Sequence, residues 1–338
     1  GYAASLADSA QRDVTVAVLV AAAVLGVVPG WRGRAGVNGR PWAERRVLVA
    51  PAFAASAAFA LAWDPADARL PTILGIAGLA AAVCAAAARS LDEHAEEGLR
   101  VWILVGGALF VVTTGAALAG VEAQVVWAVL LLAAMLAARF VPQLAVDVPD
   151  HYLLDLERLA VTAWSARERP AGRRGRIVVP RQLVAAVSER GARLVTASAV
   201  AILGVAATSS ALLLREASVP VDVVGARCMV GFCGGALLLA ARSYRHAGAR
   251  AALRAAGLAC WVVLAAVLLD GAGTQAATVL AAAAVTAGAL VVVVAVALGR
   301  GWRSAWWARR AEVAESVCAA LGVGSIVVAA GLVSALWN

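Results

Sequence analysis

The chain has 338 residues, 63% of them apolar and 15% charged, with a mean hydropathy of +0.85. A soluble domain cannot hide that much apolar surface, so the composition excludes an ordinary soluble enzyme and predicts an all-α polytopic membrane protein, a bundle of transmembrane helices. All 29 basic residues are arginine, which excludes a Walker-type lysine, a Schiff-base lysine and a lysine general base from these residues together.

A helix needs roughly 17–25 residues to cross the hydrocarbon core. Ten apolar runs meet that need, three of them with a flanking turn added. In chain order they are Val14–Val28, Val47–Trp63, Leu70–Ala88, Val101–Ala119 and Ala123–Ala138, then Leu194–Leu214, Val219–Ala241, Ala255–Leu269, Ala276–Gly299 and Val317–Trp337. The first is followed by Trp31 and arginines rather than by a small-residue cleavage site, so it reads as a span and not as a signal peptide. The sequence thus divides into a first membrane half (residues 1–140), a polar connector (141–193) and a second membrane half (194–338), with five spans in each half.

Arginine placement predicts the orientation. With the connector in the cytoplasm and the spans alternating, only Arg12, Arg69, Arg215 and Arg227 fall on the opposite face, leaving 25 of the 29 on the cytoplasmic side. Acidic residues divide less unevenly, as expected where basic residues alone set orientation. The basic pI of about 10.2 therefore reports membrane orientation and not nucleic-acid binding. Gly1 then lies outside the cytoplasm, as does the C-terminus. An N-terminus that begins in the cytoplasm requires one more span upstream, eleven in the intact chain and ten here. The predicted location is the cytoplasmic (inner) membrane, multi-pass.

Trp31, Trp63, Trp102, Trp127 and Trp337 fall at span ends, where an amphipathic ring prefers the headgroup level. Trp302, Trp306 and Trp307, with their arginines, predict a short helix along the cytoplasmic interface before the last span. Trp261, inside the eighth span, is expected to pack against a neighbouring helix or lipid.

Within the connector, Pro149-Asp150 opens a helix that Pro170 stops. Leu153, Leu156, Leu159 or Ala160, and Ala163 or Trp164 recur at spacings of three and four and form one apolar face. Arg167 and Arg169 end that helix, and Arg173, Arg174 and Arg176 form a basic turn. Leu153, Leu156, Leu159 and Trp164, with these five arginines, are the candidate partner-binding set. The apolar stripe buries against its own bundle, the lipid surface or a partner protein. The basic turn meets lipid headgroups or the acidic residues Asp92, Glu93, Glu96 and Glu97 on the neighbouring connection. A second amphipathic piece, Arg181 to Arg193, feeds the sixth span.

Chemistry is sparse. The spans carry almost no ionisable side chains; Asp222 and Arg227 in the seventh are the exceptions, five residues apart and so not on one helix face. Structural pairing or snorkelling accounts for them. Cys84, Cys228, Cys233, Cys260 and Cys318 all sit inside apolar runs without CxxC spacing, as small buried side chains. His94 among its acidic neighbours reads as a solvated turn and not a metal site. No catalytic, cofactor or metal residue is assigned, and an enzyme is not expected. Gly231 with Gly235, and Gly78 with Ala82, have the spacing that permits close helix approach.

The wording Phe140-Val141-Pro142-Gln143-Leu144, Val146-Asp147-Val148-Pro149-Asp150, Leu154-Asp155-Leu156-Glu157-Arg158-Leu159-Ala160 and Thr162-Ala163-Trp164-Ser165-Ala166-Arg167 resembles EccD, the polytopic membrane component of actinobacterial type VII (ESX) secretion systems. The resemblance implies a cytoplasmic ubiquitin-like domain and a first span ahead of this chain. It also implies a scaffold that pairs with a second copy into a lipid-lined basket beside EccB-, EccC- and EccE-type subunits, with the EccC type as the ATPase. Its partners are then those subunits, itself and membrane lipids. The rival reading is a secondary transporter, since two sets of five spans in opposite senses form an inverted repeat. Gly204 with Thr208, Ser209 and Ser210 in the sixth span is its best candidate site.

Overall fold

The computed structural model describes residues 9–28, 40–63, 69–91, 96–144, 181–271, 273–299 and 305–337. Among the described residues every element is helical. We number the helices α1 (Ser9–Val27), α2 (Arg40–Ala62), α3 (Leu70–Leu91), α4 (Glu96–Leu118), α5 (Ala123–Leu144), α6 (Arg181–Glu216), α7 (Pro220–Ala240), α8 (Ala247–Asp270), α9 (Thr274–Gly299), α10 (Ala305–Ala329) and α11 (Leu332–Trp337). A single 3-10 turn, Ala241–Ser243, follows α7. Eight of these, α2 to α8 and α10, are long and apolar enough to cross a membrane. The other two expected spans fall on α1 and α9, which are helical but stand outside those eight.

The main core is built by α5, α6, α7, α8 and α10, with Trp127, Leu131 and Met135 of α5 set against Leu213, Met229, Leu237 and Leu253. Towards the N-terminus the helices form a row, α1 on α2, α2 on α3 and α3 on α4. Smaller clusters hold that row, Val47 with Ala85, Ala88 and Leu99, and Val16 with Ala57 and Ala60. Between helices in lipid there is little hydrophobic driving force, so packing relies on small side chains that let backbones approach. α3 buries Gly75, Gly78, Ala81, Ala82, Ala85 and Ala88, a stripe at helical spacing. A Cβ on Gly106 of α4 would run into the Gly78 carbonyl, with Ala82 Cβ at 3.2 Å, so the predicted Gly78 and Ala82 pair does face a neighbouring helix.

Three boundaries differ from expectation. α6 is one helix of 36 residues that takes in the piece from Arg181 to Arg193. At 1.5 Å per residue it is about 54 Å long against about 30 Å of hydrocarbon, so it extends well beyond the membrane. The last long helix is Ala305–Ala329, continuous through Trp306 and Trp307, so those residues open a spanning helix and do not form a separate interfacial one. The expected final span, Val317–Trp337, is interrupted at Ala330–Gly331, where Gly331 has φ +75°. A glycine adopts that left-handed conformation without a Cβ clash, and the Gly331 N–H returns to the Val328 carbonyl at 3.0 Å to close the helix. Periodicity cannot see this break, because the residues on both sides are apolar.

Candidate functional site

The nine predicted partner-binding residues, Leu153, Leu156, Leu159, Trp164, Arg167, Arg169, Arg173, Arg174 and Arg176, lie outside the described residues. What is described is where the connector leaves and re-enters the bundle, at the end that also carries the α3–α4 and α7–α8 connections. There α6 is clasped to α4: Arg190 Nε donates to Glu97 Oε1, and Glu97 is only 8% exposed. One member of the predicted acidic patch is thus met by an arginine of the connector's C-terminal helix. A buried carboxylate without such a partner would be costly, so the pair holds the two helices at this point.

A second polar cluster joins α5, α7 and α10 at the same end. Arg139 at the end of α5 and Arg242 just after α7 both reach Glu315 of α10, each at 3.5 Å. Arg242 Nη1 also donates to the Ala308 carbonyl at 3.0 Å. On the outward side of α10, Arg310 lies 3.4 Å from the centroid of the Trp306 ring, and Trp306 meets Trp307 edge-on at 4.8 Å. Beside this cluster the Tyr244 hydroxyl donates to the Ala138 carbonyl at 2.6 Å. The cause lies in α5: Pro142 is inside the helix and has no N–H, so the carbonyl four residues earlier, that of Ala138, has lost its helical donor. Tyr244 replaces it from another helix. Burial pushes the Tyr244 hydroxyl up to about 12, so it remains a donor throughout the physiological range.

At the opposite end the polar groups converge on Gly331. Asp222 is 3% exposed, and Ser334 Oγ of α11 donates to its Oδ2 at 3.0 Å. Gln124 Nε2 of α5 donates to the Ala329 carbonyl at 2.7 Å, satisfying one of the carbonyls left free at the end of α10. A Cβ on Gly331 would lie 3.3 Å from Asp222 Oδ2 and 3.8 Å from Gln124 Nε2. Asp222 is therefore held by a serine from the C-terminal helix, while the Arg227 Nε is buried without a hydrogen bond. The polar partner of Asp222 is thus a serine 112 residues away along the chain and not an arginine, and its Oδ1 is buried without a hydrogen bond.

Between the two ends, at mid-depth, an open apolar groove of about 570 Å³ runs between α7, α8 and α10. Cys228, Gly231 and Gly235 of α7, Trp261 and Leu264 of α8 and Cys318 of α10 line it. The Trp261 Nε1–H donates to the Gly231 carbonyl at 3.0 Å, and its ring is half exposed. The α7–α8 contact itself is made by other glycines: a Cβ on Gly257 would come within 2.5 Å of Leu238 Cγ and 2.6 Å of the Gly234 carbonyl. Gly231 and Gly235 line this groove, where a Cβ on Gly235 would lie 3.3 Å from Cys318 Sγ of α10, and Gly234 with Gly257 makes the close approach of α7 to α8. Trp127, one turn from the start of α5, is 1% exposed and packs into the main core. The transporter candidates Ser209 and Ser210 are buried, and Ser210 Oγ donates back to Ala207 of its own helix. Among the described residues no group of three or more His, Cys, Asp or Glu side chains gathers as metal ligands would.

Sequence reading missed the Arg139–Glu315–Arg242 cluster and the Tyr244 bond. Pro142 does signal an orphaned carbonyl at Ala138, but nothing in the sequence says which distant hydroxyl supplies the donor. No family model and no curated protein matches the sequence. Among solved structures, the chain is similar to a chain in the structure of protomer 1 of the ESX-3 core complex, at 19% sequence identity, with a TM-score of 0.64. The match covers 97% of this chain and 70% of that one, so the two share a fold along almost the whole length of the sequence.

Proposed function

We propose that the protein is a structural membrane subunit of a type VII (ESX) secretion complex. It spans the inner membrane ten times within these residues, α1 and α9 included, with the connector in the cytoplasm. The observation that carries the reading is the shared fold with a chain of the ESX-3 core complex protomer over 97% of the sequence. The EccD-like wording between Phe140 and Arg167 supports it from a separate direction. In this role the chain hydrolyses nothing. It holds EccB-, EccC- and EccE-type subunits, the EccC type being the ATPase, through residues 141–193 and pairs with a second copy of itself. The bundle suits such a role, because three of its carboxylates are engaged in contacts between helices: Glu97 with Arg190, Glu315 with Arg139 and Arg242, Asp222 with Ser334.

The test is removal of residues 150–176 from the full-length protein, followed by purification of the assembly from native membranes. The expected result is normal insertion of the spans with loss of the ATPase-type subunit. Retention of every subunit after the deletion refutes the role given to the connector. Substrate uptake into liposomes by the purified chain alone refutes the scaffold reading as a whole.

A further inference from the structure

The cluster at Gly331 holds more hydrogen-bond acceptors than hydrogens. Asp222 is the third residue of α7, about 3 Å along it from Pro220, and is only 3% exposed. Gly225, one turn further on the same face, lies against the end of α10: a Cβ there would come within 2.7 Å of the Ala329 backbone nitrogen. The carboxylate therefore sits just past that end, where the chain breaks at Gly331 and re-enters a helix at Leu332. Ser334 Oγ stands 3.0 Å from Asp222 Oδ2 and 2.9 Å from the Gly331 carbonyl oxygen. A serine hydroxyl has one hydrogen, so it cannot serve both acceptors in full. Asp222 Oδ1 is buried with no hydrogen bond at all. The neighbouring amide, Gln124 Nε2, is spent on the Ala329 carbonyl. Among the described residues no arginine pairs with Asp222.

The helix ends do not supply the missing charge. The first turn of α7 favours an anion and the last turn of α10 disfavours one, so the two effects oppose each other. A buried carboxylate that shares one hydrogen with a carbonyl is costly unless a positive charge joins it. We propose that Asp222 Oδ1 and Oδ2, Ser334 Oγ and the Gly331 carbonyl oxygen are the protein ligands of one sodium ion. Hard cations take oxygen ligands, and backbone carbonyls freed at a helix break are among the groups that coordinate Na⁺ in membrane proteins. One carboxylate balances one monovalent charge. A divalent ion would leave a net charge buried, and among the described residues no group of three or more acidic, histidine or cysteine side chains gathers for one. A proton would join Oδ2 to Ser334 and still leave Oδ1 without a partner. Gly331 keeps the space between the ligands open, since a Cβ there would stand 3.3 Å from Oδ2 and 3.6 Å from Ser334 Oγ. The ion ties α7 to the α10–α11 break, a structural role that is independent of the secretion reading.

The test uses the full-length protein in mild detergent, with EDTA present and the ionic strength fixed while sodium chloride is exchanged for choline chloride. The wild-type protein is expected to gain thermal stability with rising sodium until the effect saturates. Ser334→Ala removes one ligand and should raise the half-saturating sodium concentration about tenfold. Asp222→Asn should abolish the response. Ser325→Ala, whose hydroxyl bonds back to the Gly322 carbonyl within α10, should keep it. Identical unfolding in sodium and choline overturns the site, as does a response that survives in Asp222→Asn or a half-saturating concentration unmoved in Ser334→Ala. Stabilisation by acid in choline, with no response to sodium, assigns a proton to Asp222 and overturns it equally. If Asp222→Asn fails to insert, the shift in Ser334→Ala decides alone.

Discussion

Pro142 and Tyr244 illustrate how one residue creates a need that another, far along the chain, meets. The proline removes the donor for the Ala138 carbonyl, and the Tyr244 hydroxyl supplies one at 2.6 Å from a buried position. Tyr244→Phe leaves that carbonyl unpaired and should cost about 1–2 kcal/mol, read by unfolding in mild detergent. The pH dependence has a definite sign. The hydroxyl is raised from 10.0 to about 12 in the folded protein, so between those values the unfolded chain releases a proton that the folded chain keeps. Stability is then unaffected by this group below pH 10 and falls as pH rises towards 12. In Tyr244→Phe that part of the alkaline decline should disappear. Equal alkaline sensitivity in both proteins removes Tyr244 from the account.

At the scale of elements, adjacent glycines in α4 carry opposite predictions. A Cβ at Gly106 would overlap the Gly78 carbonyl, whereas at Gly107 it would meet nothing within 4 Å. Gly106→Ala should therefore force α3 and α4 apart at a cost of about 1–3 kcal/mol. Gly107→Ala should be neutral or stabilising by up to about 1 kcal/mol through helix propensity. Thermal aggregation of the two detergent-solubilised variants distinguishes them, and equal shifts would mean that the α3–α4 crossing is not where backbone contact sets the packing. The 36-residue α6 makes a related point. Its exit from the bundle is held by Arg190 on Glu97, so Arg190→Ala should loosen α6 from α4 by about 1–2 kcal/mol. Adding Glu97→Gln should restore most of that loss, because the cost lies chiefly in the buried carboxylate left alone. A double variant as unstable as the sum of the singles would refute the pairing.

For the whole molecule, the arginine asymmetry and the polar seams describe the same two ends. Arg139, Arg190 and Arg242 make their contacts at the connector end, and Asp222, Gln124 and Ser334 make theirs at the other. In a background with the five cysteines replaced, Ser188→Cys should react with a membrane-impermeant maleimide only from the cytoplasmic side. Leu118→Cys, exposed at the far end of α4, should react only from the opposite side. Labelling of Ser188→Cys from outside the cell inverts the topology.

The sequence by itself determined the class of fold, the approximate place of each long helix among the described residues and which end of the bundle carries most of the arginines. Those properties depend on summed hydropathy and on counts of arginine, which need no knowledge of neighbours. It also identified Gly78 with Ala82 as a packing face, since a small-residue spacing is local. Only the tertiary structure decided that Ser334 meets Asp222, that Tyr244 serves Ala138 and that Gly234, not Gly231, makes the close backbone approach of α7 to α8. In a chain so rich in alanine and glycine many small-residue spacings coexist. Which of them is used depends on the rotation of one helix against another, and four of the polar contacts join residues 93 to 205 positions apart. The same reason explains the final span: only the left-handed turn at Gly331 and its hydrogen bonds separate α10 from α11, and an apolar run carries no trace of either.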